Sequence, residues 1–264
     1  MVFGDNLLKT NRDMPSINQN LRAWDKEWGH DGSEWSSAWG SDAAMWQHTV
    51  YARIGRFLPC ANLLEIGPGR GRLTEFLLPL CERYIGVDLA YSCIEACRAR
   101  FPSAKHARFT TTSGTELSAV GSASIDFAVS WDSLVHADAS VLSGYLGELT
   151  RVLRPGGSAF LHHSNLGAFI GDDGELEVEN PYWRDHEVSS DTVAEICKQQ
   201  GLHVNVQECI QWGVPHLSDC FTLLRLPKDP TEPPPGIRRI SHLDMNGEMH
   251  VARQLTEGYW LTNR

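Results

Sequence analysis

The chain has 264 residues, 42% of them hydrophobic and 21% charged, which is enough for one large domain with a substantial core. Against 33 Asp and Glu stand only 23 Lys and Arg, a formal net charge of −10 at pH 7 that disfavours a nucleic acid or an anionic membrane as partner. No run of ~18 apolar residues is present to cross a bilayer and the first residues lack the apolar core of a secretion signal, so a cytoplasmic location is expected.

Residues 1–44 are expected to form a helical arm or lid. Trp24, Trp28, Trp35, Trp39 and Trp46 crowd this region with two i, i+4 pairs, and such density has to be covered, either by packing on the main domain or by closing over a ligand. Ala43 to Phe57 reads as a helix leading into a first strand, Asn62 to Ile66, which stops at Gly67-Pro68-Gly69-Arg70-Gly71. A helix through Leu73, Phe76, Leu77 and Leu80 follows. A second strand, Tyr84 to Val87, then ends on Asp88.

A helix from Ser92 to Phe101, a third strand from Ala107 to Thr111 and a fourth from Ile125 to Ser130 continue the rhythm. Ser140 to Leu153 is helical and is stopped by Arg154-Pro155-Gly156-Gly157 before a fifth strand, Ser158 to His163. Residues 167–186 are acidic and loop-like, suited to a lid or insertion over a cleft. After a helix from Ser189 to Gln200, the runs His203 to Trp212 and Asp219 to Leu226 have no helix between them and should pair antiparallel.

This alternation predicts an α/β domain over residues 45–227: a seven-stranded, doubly wound, mostly parallel Rossmann-like sheet with a terminal antiparallel hairpin. Residues 228–264 are expected to lie outside it, as a linker (Pro227 to Gly236 carries five prolines) and a polar tail. The seven cysteines are odd in number and contain no C-x-x-C pair, so they read as buried thiols; Cys93 and Cys97 share a helix face.

The turn after the first strand carries the chemistry. Glycines at the carboxyl end of a strand let backbone approach a nucleotide, and two carboxylates, Glu65 and Asp88, flank this one. A dinucleotide fingerprint would need glycine where Arg72 stands, and Glu65 would repel a pyrophosphate; it suits instead the ammonium of S-adenosylmethionine, while Asp88 can accept both ribose hydroxyls.

Together with Arg-Pro-Gly-Gly before the fifth strand, these motifs resemble the class I S-adenosylmethionine-dependent methyltransferase family over Leu63 to Leu226. The resemblance implies that Glu65, Gly67, Gly69 and Gly71 line the aminoacyl end of S-adenosylmethionine, that Asp88 binds ribose and that Leu89 packs on adenine. Ser113, Gly114 and Thr115 would meet the adenine edge, and Ser130 and Trp131 the methionine portion.

A hydroxyl acceptor must lose a proton as it attacks, and histidine is the side chain poised to take it. His136 follows the fourth strand at the cleft edge, and Asp132, four residues earlier, would orient it if the segment is helical. His163 at the end of the fifth strand is a second candidate base, although only one of His162 and His163 can face the cleft. Asp219 is a further polar contact. Mg²⁺ held by Asp132, His163 and Asp219 is conceivable without any ligand motif to support it.

The tryptophan-rich arm with Ser130-Trp131-Asp132-Ser133-Leu134-Val135-His136 and Leu161-His162-His163-Ser164-Asn165-Leu166-Gly167 further resembles bacterial-type methyltransferases of sugars and natural products. O-methylation of a small hydroxylated acceptor is therefore expected. Alternatives are N-methylation of a small amine and a non-catalytic cofactor-binding scaffold; oligomeric state is not legible, and a homodimer stays open.

Overall fold

The computed structural model describes residues 15–26, 28 and 31–260, so the first fourteen residues of the expected arm and the last four of the expected tail lie outside the described residues. The arm begins with helix α1 (Ile17–Trp24), capped by the Ser16 side chain, which accepts from the Gln19 backbone N–H. A 3₁₀ segment, Ser33–Trp39, follows. Residues 42–57 then run as one interrupted helix: α2 (Asp42–Met45), a π turn (Trp46–Val50), α3 (Tyr51–Ile54) and a 3₁₀ turn (Gly55–Phe57).

Among the described residues eight strands form one mixed sheet, rather than the expected seven. They are β1 (Cys60–Ile66), β2 (Cys81–Asp88), β3 (Ala107–Thr111), β4 (Ile125–Ser130), β5 (Leu153–Ser164), β6 (His203–Ile210), β7 (Asp219–Arg225) and β8 (Arg238–His242). Their order is β3-β2-β1-β4-β5-β7-β6-β8, with β7 antiparallel to both neighbours and the other pairings parallel. Between them lie α4 (Thr74–Leu77), α5 (Tyr91–Arg100), α6 (Ala139–Val152), α7 (Ser190–Gln199) and, after β8, α8 (Met245–Leu255).

Alternation along the strands divides the core. On β1, Leu64 and Ile66 face one apolar cluster with Leu142, Leu146 and Leu149 of α6 and Val193 and Cys197 of α7. Leu63 faces the other, with Tyr84, Phe127, Ile54, Leu77 and Ile94. Cys93 and Cys97 are both buried. The proline-glycine run that should end the helix before β5 is itself counted in the strand: Leu153 already pairs with Ile125, and a register shift between Ile125 and Phe127 absorbs the turn.

The largest departure from expectation is at the C-terminus. Residues 238–260 are no tail: β8 adds to the sheet edge beside β6, and α8 buries Met245, Met249 and Ala252 against Trp39, Met45 and Trp46. Burying two methionines is worth roughly 3–6 kcal/mol, enough to hold a short helix in place. The signal is faint in sequence because one apolar residue per turn is a narrow stripe. None of the helices among the described residues is long and apolar enough to cross a membrane.

Candidate active site

In the sheet order β1 lies between β2 and β4, so the chain leaves it in opposite directions on its two sides; a crevice opens beyond the carboxyl ends of the strands at such a point. There the structure has a cavity of about 320 Å³. Its floor is the turn after β1. Gly67 (φ +71°) and Gly69 (φ +55°) are left-handed, and a Cβ on Gly67 would lie 2.0 Å from the Ser133 Oγ. Gly71 is also left-handed, but it lies outside the lining: its missing Cβ makes room for Phe101, at 2.5 Å.

Glu65 and Asp88 both border the cavity and both are buried. Glu65 accepts hydrogen bonds from Thr74 Oγ1 (2.7 Å) and the Tyr84 hydroxyl, yet burial, with a smaller contribution from Asp88, still pushes its carboxyl up to about 7. Asp88 accepts from the backbone N–H of Gly69 (3.0 Å) and of Ala90 (2.9 Å), and burial raises it to about 6. Two carboxylates that resist ionisation are a site prepared for a cation at one end and for hydroxyl donors at the other.

Beyond β4 the chain turns sharply. Asp132 holds φ +52°, a strained value for a residue with a Cβ, and its N–H donates to His162 Nδ1 at 3.2 Å. The segment is therefore not a helix from 132 to 136; only Leu134–His136 form a 3₁₀ turn. Asp132 does not orient His136. Its carboxylate instead accepts from Arg72 (3.0 Å) and Arg184 (3.4 Å), which outweigh burial and keep it ionised.

His136 is oriented from elsewhere. Its Nδ1 lies 2.7 Å from the carbonyl oxygen of Trp183, whose own backbone is left-handed (φ +53°), and its ring packs between Trp24 (5.3 Å) and Trp183 (5.5 Å). A carbonyl only accepts, so Nδ1 carries the proton and Nε2 the lone pair. Burial and then the Arg184 charge lower the imidazole to about 4. Asn20 of α1 donates to the His136 carbonyl at 2.8 Å, tying the arm to this residue.

His163 is a correction. It is fully buried, its Nδ1 donates to the Ser164 carbonyl (2.7 Å), and its Nε2 meets Thr222 Oγ1 (2.8 Å); it lies outside the cavity lining. Its neighbour His162 supports the site instead, with Nε2 3.0 Å from Asp219 Oδ1. Asp219 also accepts from Arg184 Nε at 3.0 Å; Arg184 and His162 overcome its burial and hold it at about 2. Asp132 and Asp219 thus both address one guanidinium while His163 turns away, so these three do not form a cation cage. Among the described residues no group of three or more His, Cys, Asp or Glu is placed to hold a metal.

Of the other residues singled out, Leu89, Gly114 and Trp131 line the cavity, whereas Ser113, Thr115 and Ser130 do not. Ser113 is exposed and Ser130 fully buried. The lining also contains groups the sequence reading passed over: Arg72, Arg184, Tyr182 and Trp212, and Met249 from α8. Arg184 is the lone cation in the acidic segment 167–186, the one feature that could have marked it. Trp24, Trp28, Trp35 and Trp39 all border the cavity, and Arg70 stacks over Trp28 at 5.3 Å.

Comparison with known proteins agrees with this geometry. Residues 64–161 match the sequence profile of a family described as a methyltransferase domain. A curated relative, an rRNA adenine N-6-methyltransferase from Streptomyces fradiae, is 40% identical over 68 residues, 26% of this chain; the chain spans about a fifth (21%) of that relative's length.

Among solved structures, an S-adenosylmethionine-dependent methyltransferase from Clostridium acetobutylicum superposes with a TM-score of 0.57 at 15% identity, over 74% of this chain and 96% of that one. One from Methanosarcina mazei gives 0.52 at 17% (67% and 97% covered), and the N-methyltransferase NodS from Bradyrhizobium japonicum 0.53 at 20% (69% and 94%). Profile and fold agree: residues 64–161 match a methyltransferase domain, and the fold is the one shared by solved structures of the S-adenosylmethionine-dependent class. S-adenosylmethionine is the cofactor the class implies, and the left-handed glycine cradle between two buried carboxylates fits it.

Proposed function

We propose that the protein methylates a hydroxyl group of a small molecule, with His136 as the base that receives the hydroxyl proton. S-adenosylmethionine, when bound, supplies a methyl group already activated on a sulfonium. Glu65 would hold its ammonium and Asp88 its ribose hydroxyls, with Leu89 and Gly114, which also line the cavity, beside its adenine.

The observation that carries this reading is the state of His136. Its proton is committed to the Trp183 carbonyl, so its Nε2 carries the lone pair of a neutral imidazole, and the residue lines the cavity, as a base for an incoming alcohol requires. An amine acceptor has less to favour it, because Asp132, the anion that would attract it, is already neutralised by two arginines. Tryptophans around the cavity offer flat apolar faces suited to a sugar or glycosylated metabolite. The net charge of −10 argues against a nucleic-acid acceptor.

The test is a screen of purified protein against hydroxylated and aminated small molecules, read as S-adenosylhomocysteine formed and as the mass and connectivity of the product. Methyl ethers as products uphold the reading. N-methylated products alone, or no turnover despite tight cofactor binding, overturn it.

A further inference from the structure

The seven thiols include two pairs placed opposite each other on neighbouring strands: Cys60 with Cys81 on β1 and β2, and Cys209 with Cys220 on β6 and β7. In an antiparallel ladder, opposed residues have Cα atoms about 4.5 or 5.5 Å apart, and both values lie inside the span of a disulfide. The β6/β7 pair meets that condition by register alone. The two thiols also bear on each other electrostatically, Cys220 favouring the Cys209 thiolate, and the Cys220 sulfur lies 3.8 Å from Thr222 Oγ1.

The surroundings of the two pairs differ. Cys209 faces the N-terminus of α7, where Ser190 interacts with its sulfur, and Arg239 on β8 reaches the same place, bonding Ser190 Oγ (3.4 Å) and Asp191 (2.6 Å). A helix N-terminus and a guanidinium both favour a thiolate. The nearby charges are Arg239, which favours it, and Asp191, which opposes it; Glu208 acts on Cys220. The neighbouring Cys220 thiol outweighs partial burial and lowers Cys209 below the usual thiol range, while burial pushes Cys60 up to about 12 and Cys81 to about 11. Cys209 is partly exposed; Cys220 is fully buried behind it.

We propose that Cys209 and Cys220 form a peroxide-oxidisable dithiol, with Cys209 as the attacking and Cys220 as the resolving sulfur. The Cys209 thiolate attacks one oxygen of a hydroperoxide; the O–O bond breaks, an alcohol or water departs with a proton from solvent, and a sulfenic acid remains. Cys220 then attacks that sulfur. The S–S bond forms as the S–O bond breaks, and the oxygen leaves as water carrying the Cys220 proton. One peroxide is reduced by two electrons and two thiols become one disulfide. The site does not depend on the methyl-transfer reading, since neither sulfur borders the cofactor cavity.

The full-length protein is treated with hydrogen peroxide, the remaining thiols are alkylated, and peptides are mapped by mass. Expected are a reductant-reversible Cys209–Cys220 linkage, five alkylated cysteines, and iodoacetamide labelling of Cys209 at pH 7 at least ~10-fold faster than of Cys60. In Cys220→Ser, dimedone should trap a sulfenic acid at Cys209. The proposal is overturned if Cys209 labels no faster than Cys60, if linkage forms first between Cys60 and Cys81, or if Cys209 passes to sulfinic acid with Cys220 still free.

Discussion

His136 Nδ1 and the carbonyl of Trp183 are 2.7 Å apart, so the acidic segment after β5 sets the tautomer of a residue in the cavity lining. His136→Gln should therefore lower kcat by ~100-fold or more with cofactor affinity within about twofold of the parent, the usual cost of losing a general base. Steady-state kinetics beside calorimetry of cofactor binding separates the two quantities.

The pH profile carries a second signature of the same residue. With the imidazole lowered to about 4, the neutral base is populated at every pH above that value and is lost only as pH falls through about 4. With cofactor saturating, the acidic limb of kcat/KM for the acceptor should sit near 4 rather than near the ordinary ~6.5 of histidine. A limb at the ordinary value assigns the base elsewhere.

Glu65 should govern cofactor binding in the opposite range. Its carboxyl, raised to about 7, is largely protonated below that pH, and a bound ammonium favours the ionised form. Affinity for S-adenosylmethionine should rise as pH increases through about 7, with a proton released on binding. Calorimetry in buffers of different ionisation enthalpy measures that proton directly. Glu65→Gln should abolish the release and weaken binding by ~10-fold.

Asp219→Asn leaves Arg184 without its most buried partner, a loss worth roughly 3 kcal/mol when one member of a buried pair is removed. The sign follows from an Asp held at about 2, below its unfolded value near ~3.9: its contribution is complete above pH ~4 and disappears as pH falls through about 2. Urea denaturation should thus show a deficit at pH 7 that narrows toward pH 2. Acceptor KM should rise while cofactor affinity holds.

Ending the chain after Leu243 removes α8 and uncovers Trp39, Met45 and Trp46. A drop of roughly 3–6 kcal/mol is expected from the two methionines alone. Thermal unfolding should shift down by many degrees; an unchanged midpoint would make α8 dispensable to the fold.

The nucleotide half of the molecule was legible in sequence because its devices are local. Strand, glycine turn and strand-terminal Asp88 fall within one short stretch, residues 60–88, and β3 and β4 have their expected bounds. The acceptor half was not, because its contacts join residues far apart in the chain. Arg184 finds Asp132 and Asp219 only after folding, and the Asp132–His136 spacing suggested a helix that the left-handed backbone at Asp132 forbids. β8 escaped notice because five residues at a sheet edge, with polar side chains, bear little alternating hydrophobicity.

Arg53 binds Glu208 of β6 at 2.6 Å and Glu248 of α8 at 3.0 Å, and Glu248 in turn accepts from Thr49, which accepts from Trp39 on the cavity wall. Residues 39–53 and α8 are thereby buckled together beside the cavity, outside the stretch 64–161 that matches the methyltransferase profile. Grafting onto this fold would require exchanging residues 39–53 and α8 as a matched set, since a foreign segment at either place would meet a buckle cut for another.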